Sequence, residues 1–235
     1  TVFASVGMIN AINLIDGVNG FAAAKTVLIS IGIFLIASKV GEDGIGAMAA
    51  LVAAASLGLF FVSFPSGRIF MGDAGAYTLG FILAWQMVIL LSRNPELSAW
   101  SLLAIVFWPV MDTLFAIYRR IRKGASTGRP DLLHFHQLVM RFWELISKKR
   151  ISRAVSNPLA TATILPLSFF PLILGIKFSH DVKAGVIIVV SSTILYLTGY
   201  YGCFLLLKKK KLRNIVHSLT EPVLARFIGT RNKTF

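Results

Sequence analysis

Apolar residues run through this chain in long unbroken stretches, separated by short polar islands. A bilayer core about 30 Å thick needs roughly 20 apolar residues per helix, and stretches near that length cover 21–37, 45–64, 74–91, 99–118, 159–176 and 184–207. Residues 1–15 read as the tail of a further, partial span. A transmembrane barrel would need segments of about ten residues alternating in polarity, and these stretches do not alternate. The pattern predicts an all-α, polytopic transmembrane bundle of six full spans plus one partial span, forming a single integral-membrane domain over 1–235. Within it, 119–157 reads as a long loop and 208–235 as a basic tail.

Composition agrees with the pattern. Hydrophobic residues make up 56% and charged residues 14%, and the mean hydropathy is +0.75, which excludes an ordinary water-soluble domain. If the connections alternate sides, one side receives Lys25, Arg68, the cations of 119–153 and those from Lys208 onward, 20 of the 24 lysines and arginines. That bias assigns this side, and the C-terminus, to the cytoplasm. The net charge of +14 lies beside apolar stretches with no base-reading motif. Anionic membrane lipid is therefore the expected partner and nucleic acid is not. The chain opens on Thr1 without the pattern of a secretory signal and reads as the C-terminal part of something longer. The single cysteine, Cys203, excludes an intrachain disulfide.

The polar islands on the cytoplasmic side hold nearly all the groups capable of chemistry. The first spans 10–20, where Asn10, Asn13 and Gly17 repeat at helical spacing, so that the two amides and Asp16 can cluster at a helix end. Asp16-Gly17 and Asn19-Gly20 then turn the backbone, and a capped turn is the plainer alternative. The second, 65–75, carries Arg68 and Asp73, with Gly72 and Gly75 clearing space around the carboxylate. An N-cap is the ordinary use of such an aspartate, but the cleared space also suits approach by a metal ion and a phosphate.

The third island contains His134-Phe135-His136. Two positions apart on a helix point opposite ways, so the imidazoles can share a target only where the chain is extended or at a helix end. From Phe135 onward, Phe135, Leu138, Val139, Phe142 and Ile146 recur at three- and four-residue steps. They predict an amphipathic surface helix with Gln137, Arg141, Glu144 and Lys148 on its wet side. Zinc would want further ligands that the neighbourhood lacks; the histidines and Arg141 suit phosphate better. Asp112 interrupts the apolar stretch 99–118 close to its cytoplasmic end, where it can meet water. A carboxylate there is a candidate substrate contact, and pairing with a loop arginine is the alternative.

Taken together, Asn-x-x-Asn-Leu-x-Asp-Gly at 10–17, Arg-Ile-Phe-Met-Gly-Asp-Ala-Gly at 68–75, Pro-Val-x-Asp-Thr at 109–113 and His-x-His at 134–136 resemble, in order, the motifs of the polyprenyl-phosphate N-acetylhexosamine-1-phosphate transferases, the WecA-like and MraY-related enzymes of glycosyltransferase family 4. The resemblance implies transfer of a phospho-sugar from a UDP-N-acetylhexosamine to polyprenyl (undecaprenyl) phosphate, with release of UMP, as the first membrane step of a cell-envelope glycan. It implies Mg2+, or Mn2+ in its place, with Asp73 as metal ligand. It gives Asp16, Asp73, His134 and His136 as catalytic residues and Asn10, Asn13, Asn19, Arg68, Asp112 and Arg141 as substrate contacts. A homodimer is left open. Asn19 stands where the family's second aspartate falls, Gln137 where a further histidine often falls, and the family's adjacent aspartate pair would precede Thr1. The competing classes are a multi-span transporter, which would place its polar groups near the bilayer midplane in repeated halves, and a catalytically inactive fragment or paralogue.

Overall fold

The computed structural model describes residues 1–122, 124, 133–147 and 151–209. Among them the chain is helical throughout: α1 (Val2–Leu14), α2 (Phe21–Lys39), α3 (Asp43–Ser63), α4 (Gly72–Arg93), α5 (Ala99–Ile105), α6 (Phe107–Arg122), α7 (Phe135–Ile146), α8 (Arg153–Lys177) and α9 (Val182–Lys208). Five of them, α2, α3, α4, α8 and α9, are long and apolar enough to cross a membrane. Their outward faces leave Leu51, Phe61, Ile187 and Ile194 exposed, as contact with lipid rather than water allows. The chain is an integral membrane protein.

The sixth expected span, 99–118, is not one straight helix. It breaks at Val106 into α5 and α6, which meet at 86°. Pro109 supplies the reason: it has no N–H for the carbonyl of Ile105, four residues back, and its ring crowds that carbonyl, so the helix ends there and restarts with the proline in a first turn. The bend carries Asp112, two turns on, into the space between α7 and α9.

Two sets of contacts distinguish the ends of the bundle. At one end Lys39 Nζ donates to the Ile176 carbonyl at 2.7 Å, Arg93 pairs with Glu42 at 3.0 Å, and the backbone N–H of Ser98 donates to Ser179 O at 2.8 Å. The polar islands gather at the other end. Their approach depends on small residues at helix crossings: a Cβ on Gly80 of α4 would stand 2.8 Å from the Ile9 Cα of α1, so only glycine lets these backbones come so close. That crossing sets the last turn of α1 beside the start of α4.

The amphipathic helix expected from Phe135 is α7. It is wedged rather than floating: Phe135, His136, Leu138, Val139 and Met140 are buried, and Gln137, Arg141 and Glu144, expected on a wet face, are half-buried. Glu144 accepts a hydrogen bond from Ser156 Oγ of α8 at 3.0 Å, and Trp143 Nε1 donates to Thr163 Oγ1 at 3.0 Å. Lys148, much of the 119–157 loop and the tail from 210 lie outside the described residues.

Candidate functional site

The first two islands meet at the start of α4. Its cap position, Met71, offers no side-chain cap of its own. Instead Asp16, from the turn after α1, accepts the backbone N–H of Gly72 at 2.9 Å, so a carboxylate from one segment caps the helix of another. Gly72 sits at φ +66°, in the left-handed region that favours glycine. One residue further on, Asp73 is exposed and makes no hydrogen bond or ion pair among the described residues. Burial raises the Asp16 carboxyl above its ordinary range, and the N–H groups of Gly72 and Met71 pull it back. Asn13 Nδ2 donates to the Tyr77 hydroxyl of α4 at 3.2 Å. Asn10 does not join them: its amide donates to Val6 O, one turn back on its own helix, at 2.8 Å. Arg68 is exposed and unpaired among the described residues.

Asn19 is buried, with 6% exposure, and its polar groups are engaged within the protein. Its side-chain Nδ2 donates to Pro65 O at 2.7 Å, its backbone N–H donates to Asn157 Oδ1 at 2.6 Å, and its carbonyl accepts from Thr161 Oγ1 at 2.8 Å. It ties the α1–α2 turn to the α3–α4 connection and to α8. The departure from aspartate thus has a local reason, because a carboxylate cannot donate to the Pro65 carbonyl. Its side-chain amide is engaged by the Pro65 carbonyl, and Asn157 and Thr161, which sequence reasoning missed, hold its backbone groups.

The third island closes onto the first. His134 caps α7 in an extended conformation (φ −62°, ψ 149°) and His136 lies on the first turn, which is the arrangement in which residues two apart can face one way. Their rings stack at 5.5 Å, 9° from parallel. His136 packs against Gly17 so closely that a Cβ there would stand 2.5 Å from Nε2. That nitrogen is buried and has no hydrogen-bond partner among the described residues. Burial, partly countered by the Asp112 charge and reinforced by that of His134, pulls the His136 imidazole down to about 4.

Asp112 is shut away from water and pairs with no loop arginine among the described residues. It is 1% exposed and accepts three hydrogen bonds: from His134 Nδ1 at 2.7 Å, from the Phe135 N–H at 3.0 Å and from the Tyr196 hydroxyl at 2.6 Å. An unbroken series of contacts therefore runs from Asp73 through Gly72, Asp16, Gly17, His136 and His134 to Asp112. Arg141, half-buried further along α7, is not among them. Lys25, counted in the sequence as a loop cation, is instead inside α2 and 1% exposed, with no hydrogen bond or ion pair among the described residues.

Among the described residues no three histidine, cysteine, aspartate or glutamate side chains gather as a metal cage. Asp73 presents an exposed carboxylate, a hard oxygen donor, one residue beyond the Gly72 N–H that Asp16 accepts. That donor set fits magnesium, which keeps several waters and is held by one or two carboxylates plus substrate phosphates. It does not suit zinc.

Residues 1–91 match the family model described as glycosyl transferase family 4. The chain is 36% identical over 143 residues to a probable undecaprenyl-phosphate N-acetylglucosaminyl 1-phosphate transferase of Bacillus subtilis, covering 60% of this chain and 40% of that one. It is 30% identical over 205 residues to the undecaprenyl-phosphate alpha-N-acetylglucosaminyl 1-phosphate transferase of Escherichia coli K12, covering 85% of this chain and 53% of the relative. It is also 30% identical over 161 residues to a decaprenyl-phosphate N-acetylglucosaminephosphotransferase of Mycobacterium leprae. The chain spans about half the length of these relatives or less. No solved structure matches it. With its motifs drawn together at one end of a membrane bundle, the chain matches glycosyl transferase family 4 over residues 1–91 and is similar over 205 residues to an undecaprenyl-phosphate sugar-phosphate transferase.

Proposed function

We propose that the full-length protein transfers N-acetylhexosamine-1-phosphate from a UDP-linked donor to polyprenyl phosphate at the cytoplasmic face of the inner membrane. An oxygen of the lipid phosphate bonds to the sugar-bearing phosphorus of the donor, the bridging P–O bond breaks, and UMP departs. The observation that carries this reading is the continuous contact from Asp73 to His134 across segments 61 residues apart in sequence. It sets an open carboxylate and an imidazole pair at one end of the bundle, where a water-soluble nucleotide sugar and a lipid headgroup can both reach. The excess of lysine and arginine on the connections at this end supports the cytoplasmic orientation.

Phosphoryl transfer asks mainly for positioning and neutralisation of oxygen charge. Asp73, with Asp16 behind it, would hold the magnesium ion, which when bound neutralises charge on the phosphate oxygens. Asp16 fixes the start of α4 and thereby the direction of Asp73. Asn13 and Asp16 edge the nucleotide side, and His134 and His136 offer ring nitrogens to the diphosphate or the sugar. Asn19 holds the turn rather than the substrate.

The test supplies membranes containing the full-length protein with undecaprenyl phosphate and a panel of radiolabelled UDP-sugars. Labelled diphosphate-linked lipid and stoichiometric UMP are expected with UDP-N-acetylglucosamine, the sugar in the names of the relatives. Correctly inserted protein that transfers no sugar from the panel would overturn the reading.

A further inference from the structure

We propose that Tyr196 on α9 and Asp112 on α6 are positioning residues that together hold His134 with its Nδ1 protonated, leaving Nε2 as the nitrogen offered to the phosphate-bearing substrate. This rests on the reading above for its substrate, but not for its geometry.

Asp112 is buried in a bundle whose other surfaces face lipid, where a carboxylate persists only if its oxygens are satisfied. The two oxygens are satisfied differently. Oδ1 accepts both the Tyr196 hydroxyl, at 2.6 Å, and the Phe135 N–H, at 3.0 Å. Oδ2 faces His134 Nδ1 at 2.7 Å. Two donors on one oxygen fix the rotation of the carboxylate, and that rotation aims the other oxygen at the imidazole. An ionised carboxylate only accepts, so Nδ1 must carry the proton and Nε2 is the nitrogen left free for another partner.

Tyr196 is itself held. It is 1% exposed, its ring lying 5.4 Å from Trp108, 5.3 Å from Phe135 and 6.1 Å from Phe115, so its hydroxyl has little freedom to leave Asp112. The Phe135 N–H is among the first donors of α7 that no intrahelical carbonyl can satisfy. Asp112 therefore caps α7 from another helix, as Asp16 caps α4. In both places a carboxylate that reaches across the bundle sets the helix start on which a candidate ligand contact stands. Among the described residues the groups facing His134 are Asp112 from α6, Tyr196 from α9 behind the carboxylate, and His136 on the first turn of α7. Tyr200 of α9 donates to the adjoining Leu133 carbonyl at 3.0 Å.

The experiment compares Tyr196→Phe, Asp112→Asn, Asp112→Glu and His180→Ala in the full-length protein, the last as a control at the opposite end of the bundle. Turnover per correctly folded molecule should fall about tenfold in Tyr196→Phe and 100-fold or more in Asp112→Asn. KM for both substrates should change less than threefold, His180→Ala should match wild type, and Asp112→Glu should recover part of the loss. Unchanged turnover in Tyr196→Phe, or losses matched by loss of folded protein, would overturn the proposal. A readout independent of transfer is 15N NMR of histidine-labelled protein. His134 should show a protonated Nδ1 in wild type and lose that signature in Asp112→Asn. A wild-type His134 protonated only on Nε2 would overturn the proposal whatever the enzyme transfers, whereas absence of transfer with the Nδ1 signature intact would count against the proposed function alone.

Discussion

Gly17→Ala adds one methyl group where the first island packs against His136 of the third. Its carbon would stand 2.5 Å from Nε2 of His136 and 3.3 Å from Cδ2, where an unstrained contact needs about 3.5 Å or more. Gly17 is not in the left-handed region, so the backbone itself accepts alanine. Relief must come from the imidazole or from the turn. His136 is 2% exposed and stacked on His134, which Asp112 holds, so it cannot move far. Overpacking of this kind costs about 1–3 kcal/mol, and the reduced entropy of the unfolded chain returns about 0.4–1, a net destabilisation of roughly 1–2 kcal/mol. In a His136→Ala background the obstacle is absent and only the entropic gain remains, so the same substitution should become neutral or mildly stabilising. The assay is a thermal-unfolding cycle of wild type, both single variants and the double variant of the full-length protein in detergent, with UMP release measured alongside. If Gly17→Ala shifts the midpoint equally in both backgrounds, the two residues do not touch and the junction between the islands is wrong.

Two further outcomes follow from the same contacts. Asn19→Asp places a carboxylate against the Pro65 carbonyl that the amide now donates to at 2.7 Å; at pH 7 it should lower stability by about 1–3 kcal/mol, read as a lower unfolding midpoint, and an unchanged or raised midpoint would contradict the hub role. The folded protein keeps His136 neutral down to about 4, against an ordinary 6.5, so between these values the unfolded chain binds more protons. Stability from this group is full above pH 6.5 and is lost as pH falls toward 4, by roughly 3 kcal/mol in all; midpoints measured over that range should fall less steeply in His136→Gln, and parallel curves would refute the assignment.

The spans were legible because lipid imposes one simple requirement, a long apolar run, and the runs at 21–37, 45–64 and 159–176 became helices starting or ending within a few residues of those limits. The break in 99–118 was also written in the sequence, in Pro109, but hydropathy alone does not register a missing N–H. The candidate site was legible where polar residues interrupt apolar stretches, as at Asp16, Asp73 and His134. Its supporting partners were not. Tyr196 sits in an apolar run with no local cue and joins Asp112 from 84 residues away, and Asn157 and Thr161 find Asn19 only after folding. Lys25 was counted with the connection cations on charge alone, although it already lay inside the apolar stretch 21–37 that became α2. Asp112 was misread for another reason: a sequence shows that a buried carboxylate needs partners, but not which helices bring them.

The central claim is that Asp73 stands open at the meeting point of the three islands in order to hold a cation against the transferred phosphate. Titrating Mg2+ into the full-length protein with UDP-N-acetylglucosamine and undecaprenyl phosphate, and following UMP release in wild type and Asp73→Asn, tests it most directly. UMP release should depend on Mg2+ in wild type and fall at least 100-fold in the variant, with membrane insertion and unfolding midpoint preserved. An Asp73→Asn protein that turns over normally with the same Mg2+ dependence would contradict it.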